Sequence, residues 1–311
     1  MSYLDFYGLQ REPFSNVPDP IFFWNGRSHE TALNKLRFAL EQRRGLSLVI
    51  GEIGAGKTTL SRRLFESLDE TRFHKALLIV IHSEVTADWL LHRFAQLLGV
   101  EHPKHNKLEV LGQIYDRLRI IDEKGQIVAL LIDEAQMFGT RELMEEFRGL
   151  LNIEAQGRKL INFVFFGLPE VEENLQLDEP LRQRVALRVN LQRYDEADTL
   201  AYLAHRVNVA GGKKGLIPPD VAARLHFHGQ GSPRVLNALA DNLLLEGFLQ
   251  KTRTLTVAML DKVAAELNLQ ESQPDPLADI LGHRPVKPGR KSKDEWQEVD
   301  LNKLLGFLDK K

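Results

Sequence analysis

The 311-residue chain contains no cysteine. That removes disulfides, thiolate catalysis and cysteine-ligated zinc together, and it suits a reducing compartment. Net charge is also scarce: 41 Lys and Arg stand against 43 Asp and Glu, a formal balance of −2. No global field therefore draws the chain to nucleic acid, although a local basic patch stays open. No apolar run approaches the roughly 18 residues that a bilayer span needs. The longest, Ile127 to Ile132, has the length of a strand. Met1 to Phe14 includes Asp5, Gln10, Arg11 and Glu12 and no continuous apolar leader core. These absences predict a cytoplasmic protein that, if it acts at a membrane, does so through partners and not by direct insertion. There is no long-period repeat and no nucleophilic triad. Among the ten histidines, His226 and His228 are two apart, the wrong spacing for two ligands on one helix face.

What is present is an ordinary globular balance, 43% apolar and 27% charged, in a chain long enough for about two domains. Its most informative stretch is Gly51-Glu52-Ile53-Gly54-Ala55-Gly56-Lys57-Thr58, followed by Thr59. An apolar strand, Leu46 to Ile50, precedes it, and Leu60, Leu64 and Phe65 mark a helix after it. Strand, glycine loop and helix together are the context of a phosphate-binding loop. Glycines let backbone N–H groups curl around phosphates, and the helix directs its positive end at them. Lys57 is expected to reach the β- and γ-phosphates of a nucleoside triphosphate, and the Thr58 hydroxyl to ligate Mg²⁺.

Further along, Ala76 to Ile81, Ile127 to Ile132 and Ile161 to Gly167 read as strands. Helical patterns over 28–43, 86–98, 107–121 and 141–151 alternate with them, Ser28 capping the first. Alternation of this kind implies a parallel α/β sheet flanked by helices. From Asp195 the strand signal gives way to four helical stretches, 197–209, 219–228, 233–250 and 256–267, which predict a small all-helical lid. The expected organisation is an aromatic and proline-rich segment with a helix packing on the core (1–44), the α/β nucleotide-binding domain (45–194), the lid (195–269) and a tail (270–311). The tail's composition predicts a flexible linker. It ends in Leu301, Leu304, Leu305 and Leu308 at helical spacing, a docking motif for a protein partner or for this chain's own surface. The aromatics of the first segment are expected to serve core packing or to line an adenine pocket.

Asp133-Glu134 ends the third strand. In a parallel sheet that pair emerges at the same carboxyl edge as the glycine loop, where ligands bind. Asp133 is expected to hold Mg²⁺ through water, and Glu134 to polarise the water that attacks the γ-phosphate. Arg182 and Arg184 suit stabilisation of charge on a transferring phosphoryl group from a neighbouring subunit, with no choice between them. Arg234, just after Pro233 at a helix start, is placed to fold over the γ-phosphate.

Taken together, these motifs resemble those of the AAA+ ATPases. More narrowly, Phe6-Tyr7-Gly8-Leu9, Pro13-Phe14-Ser15, Pro18-Asp19-Pro20, Asp133-Glu134-Ala135-Gln136, Gly167-Leu168-Pro169-Glu170 and Leu181-Arg182-Gln183-Arg184 are similar to the ExeA/GspA/MshM-like ATPases of bacterial secretion, MSHA pilus and exopolysaccharide systems. The resemblance covers residues 1–268. It implies ATP and Mg²⁺ as ligands, an ATP-dependent homo-oligomer, ATP hydrolysis and a partner complex in the envelope. That group commonly has glutamine where this chain has Leu168, and Asn162 or Asn152 stands as a candidate replacement. The core also resembles the TnsC/TniB/MuB-type transposition ATPases, which assemble on DNA. In that alternative Lys104, Lys107, Arg117 and Arg119 would face DNA.

Overall fold

The computed structural model describes residues 2–269. The linker from 270 and the four tail leucines at 301, 304, 305 and 308 lie outside the described residues. Five strands form one parallel sheet: β1 (Leu46–Gly51), β2 (Phe73–Ile79), β3 (Ile127–Asp133), β6 (Ile161–Gly167) and β7 (Val185–Leu191), in the order β2-β3-β6-β1-β7. Two-residue strands β4 (Glu154–Ala155) and β5 (Arg158–Lys159) make a separate hairpin. The central strands read as unbroken apolar runs because both faces are covered. Leu46, Leu48 and Ile50 of β1 pack into one core, and Val49 into the other. In β3, Val128, Leu130 and Ile132 alternate in the same way with Ile127, Ala129 and Leu131.

The helices that cover the sheet are α2 (Arg27–Glu41) and α3 (Lys57–Ser67) on one face, and α4 (Ala87–Leu97), α5 (Lys107–Glu123) and α6 (Arg141–Leu150) on the other. Short helices α7 (Glu170–Leu175) and α8 (Glu179–Arg182) link β6 to β7. The helical region that follows has α9 (Glu196–Val209), α10 (Pro219–Gly229), α11 (Pro233–Leu249) and α12 (Val257–Glu266), with Asp195 and Thr256 as side-chain caps of the first and last.

Three local expectations change. The helix expected to start at a Ser28 cap begins one residue earlier, at Arg27. Its cap is Gly26, which makes no side-chain hydrogen bond. Trp24 explains the glycine: a Cβ there would fall 2.2 Å from the indole ring. The strand expected at 76–81 is shifted to Phe73–Ile79, because it pairs with β3 from Phe73↔Ile127 to Ile79↔Asp133. A fifth strand, β7, went unread, although Val185, Leu187, Val189 and Leu191 alternate with Ala186, Arg188 and Asn190.

The N-terminal segment packs on the α/β core mainly through α2. Its aromatics mostly go elsewhere: Tyr7, Leu9, Phe14 and Phe22 join the core of the helical region. The Tyr7 hydroxyl, from α1 (Tyr3–Tyr7), donates to the Leu244 carbonyl at 3.0 Å, and Phe6 meets Phe248 edge-on. Helices α9 to α12 leave an apolar face that these rings close.

Candidate nucleotide site

The register places the ends of the strands together. Ile50 lies opposite Gly167, Gly51 opposite Leu191, and Asp133 opposite Phe166. The glycine loop leaves β1 at this edge and enters α3 at Lys57. Gly54 and Gly56 take left-handed backbone angles, φ +78° and +93°. Space matters as much as conformation here. A Cβ on Gly54 would lie 2.6 Å from the Ser232 hydroxyl, and one on Gly56 would lie 2.9 Å from the His29 ring. Within the loop Ala55 is buried, Ile53 is exposed, and Thr58 and Thr59 line the cleft above. The Lys57 ammonium, 7% exposed, donates to the carbonyls of Gly51 at 2.7 Å and Glu52 at 2.9 Å. Burial lowers its pKa, while Glu134, Asp133 and Glu170 act in the opposite direction.

Asp133, 1% exposed, ends β3 beneath the loop. Burial raises its pKa, the Thr58 hydroxyl opposes that, and the Glu134 charge adds to it. The Ser61 hydroxyl reaches its other side at 3.5 Å. Glu134 then turns the chain with a left-handed backbone, φ +59°. Its carboxylate accepts a hydrogen bond from the Gln136 amide at 2.6 Å, and the Gln136 oxygen accepts from the Leu168 N–H at 3.1 Å.

Above the loop lies a cleft of about 570 Å³, walled by Phe22, Phe23 and Trp24 on one side and by Pro233 and Arg234 on the other. Arg234 enters at the start of α11, its Cβ against Gly54. Ser232 beside it is 2% exposed, and its hydroxyl has no partner among the described residues. A buried polar atom left open at such a place suits a polar ligand.

Three further residues at the loop and the cleft carry no signal in the sequence. Arg193, just past β7, forms an ion pair with Glu52 at 2.5 Å. His29, 2% exposed under the loop, has its pKa lowered to about 4 by burial. Arg206 is a buried guanidinium stacked 4.6 Å from the Phe22 ring. It donates to Pro13, to Ser15 at 3.0 Å and to the Tyr202 hydroxyl at 3.0 Å, tying the N-terminal segment to α9. Nothing local marks these positions, because their partners are remote in sequence.

Arg182 and Arg184 are not part of this cluster. Val185, next to Arg184, lies opposite Leu46 at the other end of the sheet. About six residues of strand, roughly 20 Å, separate that edge from the loop. Arg182 holds Glu179 of its own short helix at 2.5 and 2.7 Å. Arg184 donates to the Arg148 carbonyl at 3.1 Å and to Asn152. Asn162 also belongs to the far edge: it accepts from the Gly45 N–H at 3.0 Å and donates to the Val128 carbonyl at 3.0 Å. Neither asparagine replaces a polar side chain at Leu168, since both are engaged near the amino ends of β6 and β7. Three of the four basic residues expected to face DNA in the alternative reading are also engaged, Lys104 being the exception among the described residues. Lys107 pairs with Glu146, Arg119 with Glu123 at 3.1 Å, and Arg117 donates to the Leu98 carbonyl at 3.0 Å.

The donor set suits Mg²⁺. The Thr58 hydroxyl favours the Asp133 charge, and a cation beside them would offset the burial that disfavours it. Magnesium on a nucleotide takes most of its oxygens from phosphate and water, so one or two protein oxygens are enough. No group of three or more His, Cys, Asp or Glu gathers into an all-protein metal site among the described residues.

Comparison with known proteins agrees with this fold. Residues 40–175 match the family model described as an AAA domain. The chain is 30% identical over 270 residues to general secretion pathway protein A of Aeromonas hydrophila, covering 86% of this chain and 48% of that protein. It therefore spans about half the length of the curated relative it matches. Among solved structures it is similar to the ORC2 protein of Aeropyrum pernix in its ADPNP–ADP complexes (TM-score 0.63, 14% identity, 83% of this chain and 72% of that one). It is also similar to the Thermotoga maritima RuvB Holliday junction branch migration motor (TM-score 0.55, 17% identity, 83% and 78%). At such identities these two likenesses concern the fold. The chain thus has the parallel-sheet P-loop fold of the AAA+ proteins, and its residues 40–175 are similar to an AAA domain.

Proposed function

We propose that this chain is an ATPase that assembles with itself and drives or switches a partner complex of bacterial envelope secretion, pilus assembly or polysaccharide export. One observation carries the catalytic half of this reading. Lys57, Thr58, Asp133 and Glu134 converge at one edge of the sheet, while Arg182 and Arg184 stand at the other. The printed name of the relative from Aeromonas hydrophila supports the secretion half. Of the membrane, the structure says only that no helix among the described residues is long and apolar enough to cross one.

In this reading the triphosphate lies along the glycine loop, with its base toward Phe22, Phe23 and Trp24. Lys57 exchanges its two loop carbonyls for phosphate oxygens. Bound Mg²⁺ supplies positive charge against the phosphates. Glu134 takes the proton of the attacking water, and Arg234 meets the terminal phosphate from the lid. Arg182 or Arg184 completes the site of the adjacent subunit, the only site that a residue at the far edge can reach.

Glu134→Gln in the full chain tests the mechanism. It should bind ATP as the wild type does and lose turnover by about 10²- to 10⁴-fold. Wild-type turnover in that variant would end the proposal. Assembly is tested separately by light scattering with and without ATP, where no change in mass on adding ATP counts against it.

A further inference from the structure

The geometry points to Gln136 as the positioning residue of the hydrolytic site: its side-chain amide orients the Glu134 carboxylate, occupying one oxygen and leaving the other for water. This rests on the reading of Glu134 as the group that activates water.

The direction of the amide is fixed by the backbone. The Leu168 N–H can only donate, so the Gln136 atom facing it is the oxygen, at 3.1 Å. The nitrogen therefore faces Glu134 and donates to Oε2 at 2.6 Å. Among the described residues no donor takes Oε1 of Glu134. The carboxylate is thus held by one oxygen and open at the other, as a proton acceptor must be.

Gln136 is itself held from two more sides. Its backbone carbonyl accepts from the Asn174 amide of α7 at 2.9 Å. A Cβ at Gly167 would lie 2.9 Å from its side-chain oxygen and 2.3 Å from Val171, so only glycine leaves room for the bridge. The left-handed turn at Glu134 (φ 59°, ψ 39°) leads into the single 3-10 turn Ala135–Met137 that carries Gln136. The bridge uses the backbone N–H of residue 168 and not its side chain. An apolar Leu168 is therefore compatible with an ordered catalytic carboxylate.

The test uses the full chain with Gln136→Leu, which lacks the amide, and Gln136→Glu, which keeps an acceptor for the Leu168 N–H but loses the donor to Glu134. Steady-state kinetics, binding of a fluorescent ATP analogue and Tm are measured for each. Both variants should lose about tenfold to a hundredfold in kcat. KM and analogue Kd should stay within about twofold, as expected when only an orienting contact is lost. Gln136→Leu added to Glu134→Gln should reduce the residual single-turnover rate no further, because the two residues act as a unit. Unchanged kcat in either single variant overturns the inference, as does an equal further loss in the Glu134→Gln background. Loss of analogue binding together with Tm, indicating a purely structural bridge, also overturns it. If Glu134→Gln alone keeps wild-type turnover, the reading of Glu134 fails first. If Glu134→Gln is inactive and the Gln136 variants are normal, only the role of Gln136 fails.

Discussion

The two edges of the one parallel sheet use polar side chains in opposite ways. At the amino edge they are consumed by structure. Asn162 joins the Gly45 N–H to the Val128 carbonyl, Arg43 pairs with Asp122 at 3.0 Å, and Arg148 pairs with buried Asp178 at 2.9 Å. At the carboxyl edge they are partly held in reserve. Among the described residues, Lys57 is satisfied only by carbonyls of its own loop, the Ser232 hydroxyl has no partner, and Asp133 is buried against the usual preference of a carboxylate. Unmet polar demand is costly in a folded protein unless a ligand repays it. The contrast is one of degree, since an ion-paired Asp122 oxygen at the amino edge also lacks a hydrogen bond, and it favours the carboxyl edge as the ligand edge. It also gives Arg184, at the structural edge, a different standing from Arg182, which is exposed and bound only to Glu179 of its own helix.

The largest expected effect tests whether the amino edge also serves catalysis in a neighbour. Arg182→Ala and Arg184→Ala are each to be assayed for ATP turnover and nucleotide affinity. The one that acts in trans should lose about a thousandfold in turnover at unchanged affinity. Mixing it with Glu134→Gln should restore part of the activity, since the mixed oligomer contains intact composite sites. If neither substitution lowers turnover, the far edge is structural throughout.

Next in size is a pH effect at the carboxyl edge. Burial holds the folded-state pKa of His29 at about 4, below the 6.5 of a free imidazole. The unfolded chain therefore takes up the proton first. Stability rises with pH across that window and is lost as pH falls from 6.5 toward 4. The difference is on the order of 3 kcal/mol. Denaturant unfolding at pH 7 and at about pH 4.5 should show this loss in the wild type, and His29→Gln should flatten it. An equal slope in both proteins would remove His29 as its source.

Lys57→Ala should weaken triphosphate binding by about tenfold to a hundredfold, the worth of a charge-assisted hydrogen bond, without lowering Tm. Titration with a fluorescent nucleotide measures it. Asn162→Leu is the complementary substitution, removing a bridge at the structural edge. It should cost about 1–3 kcal/mol of stability by stranding two backbone groups, with nucleotide affinity unchanged. A shift in affinity would show that the two edges are coupled through β6.

Legibility followed the range of the interactions. The sheet's central strands were readable because runs such as Ile127 to Ile132 are apolar on both faces. The loop was readable because its glycines, lysine and threonine are contiguous. Edge strand β7 was harder to read: it is half-exposed, and its short alternation begins directly after the arginine pair that held the functional interest. The aromatics of residues 3–24 announced packing but not its place. Their place is chiefly the helical region, with Phe22, Phe23 and Trp24 also reaching the cleft.

By itself the sequence determined four of the five sheet strands and the main helices. It also placed the glycine loop and Asp133-Glu134 at one edge, because parallel strands bring their carboxyl ends together. Tertiary structure alone decided which polar groups meet. The Glu52–Arg193 pair, His29 beneath Gly56, Ser232 against Gly54 and the Gln136 bridge from Glu134 to Leu168 all join separate elements. Periodicity encodes the face a residue presents. The partner it finds there depends on the path of the whole chain, which no local pattern contains.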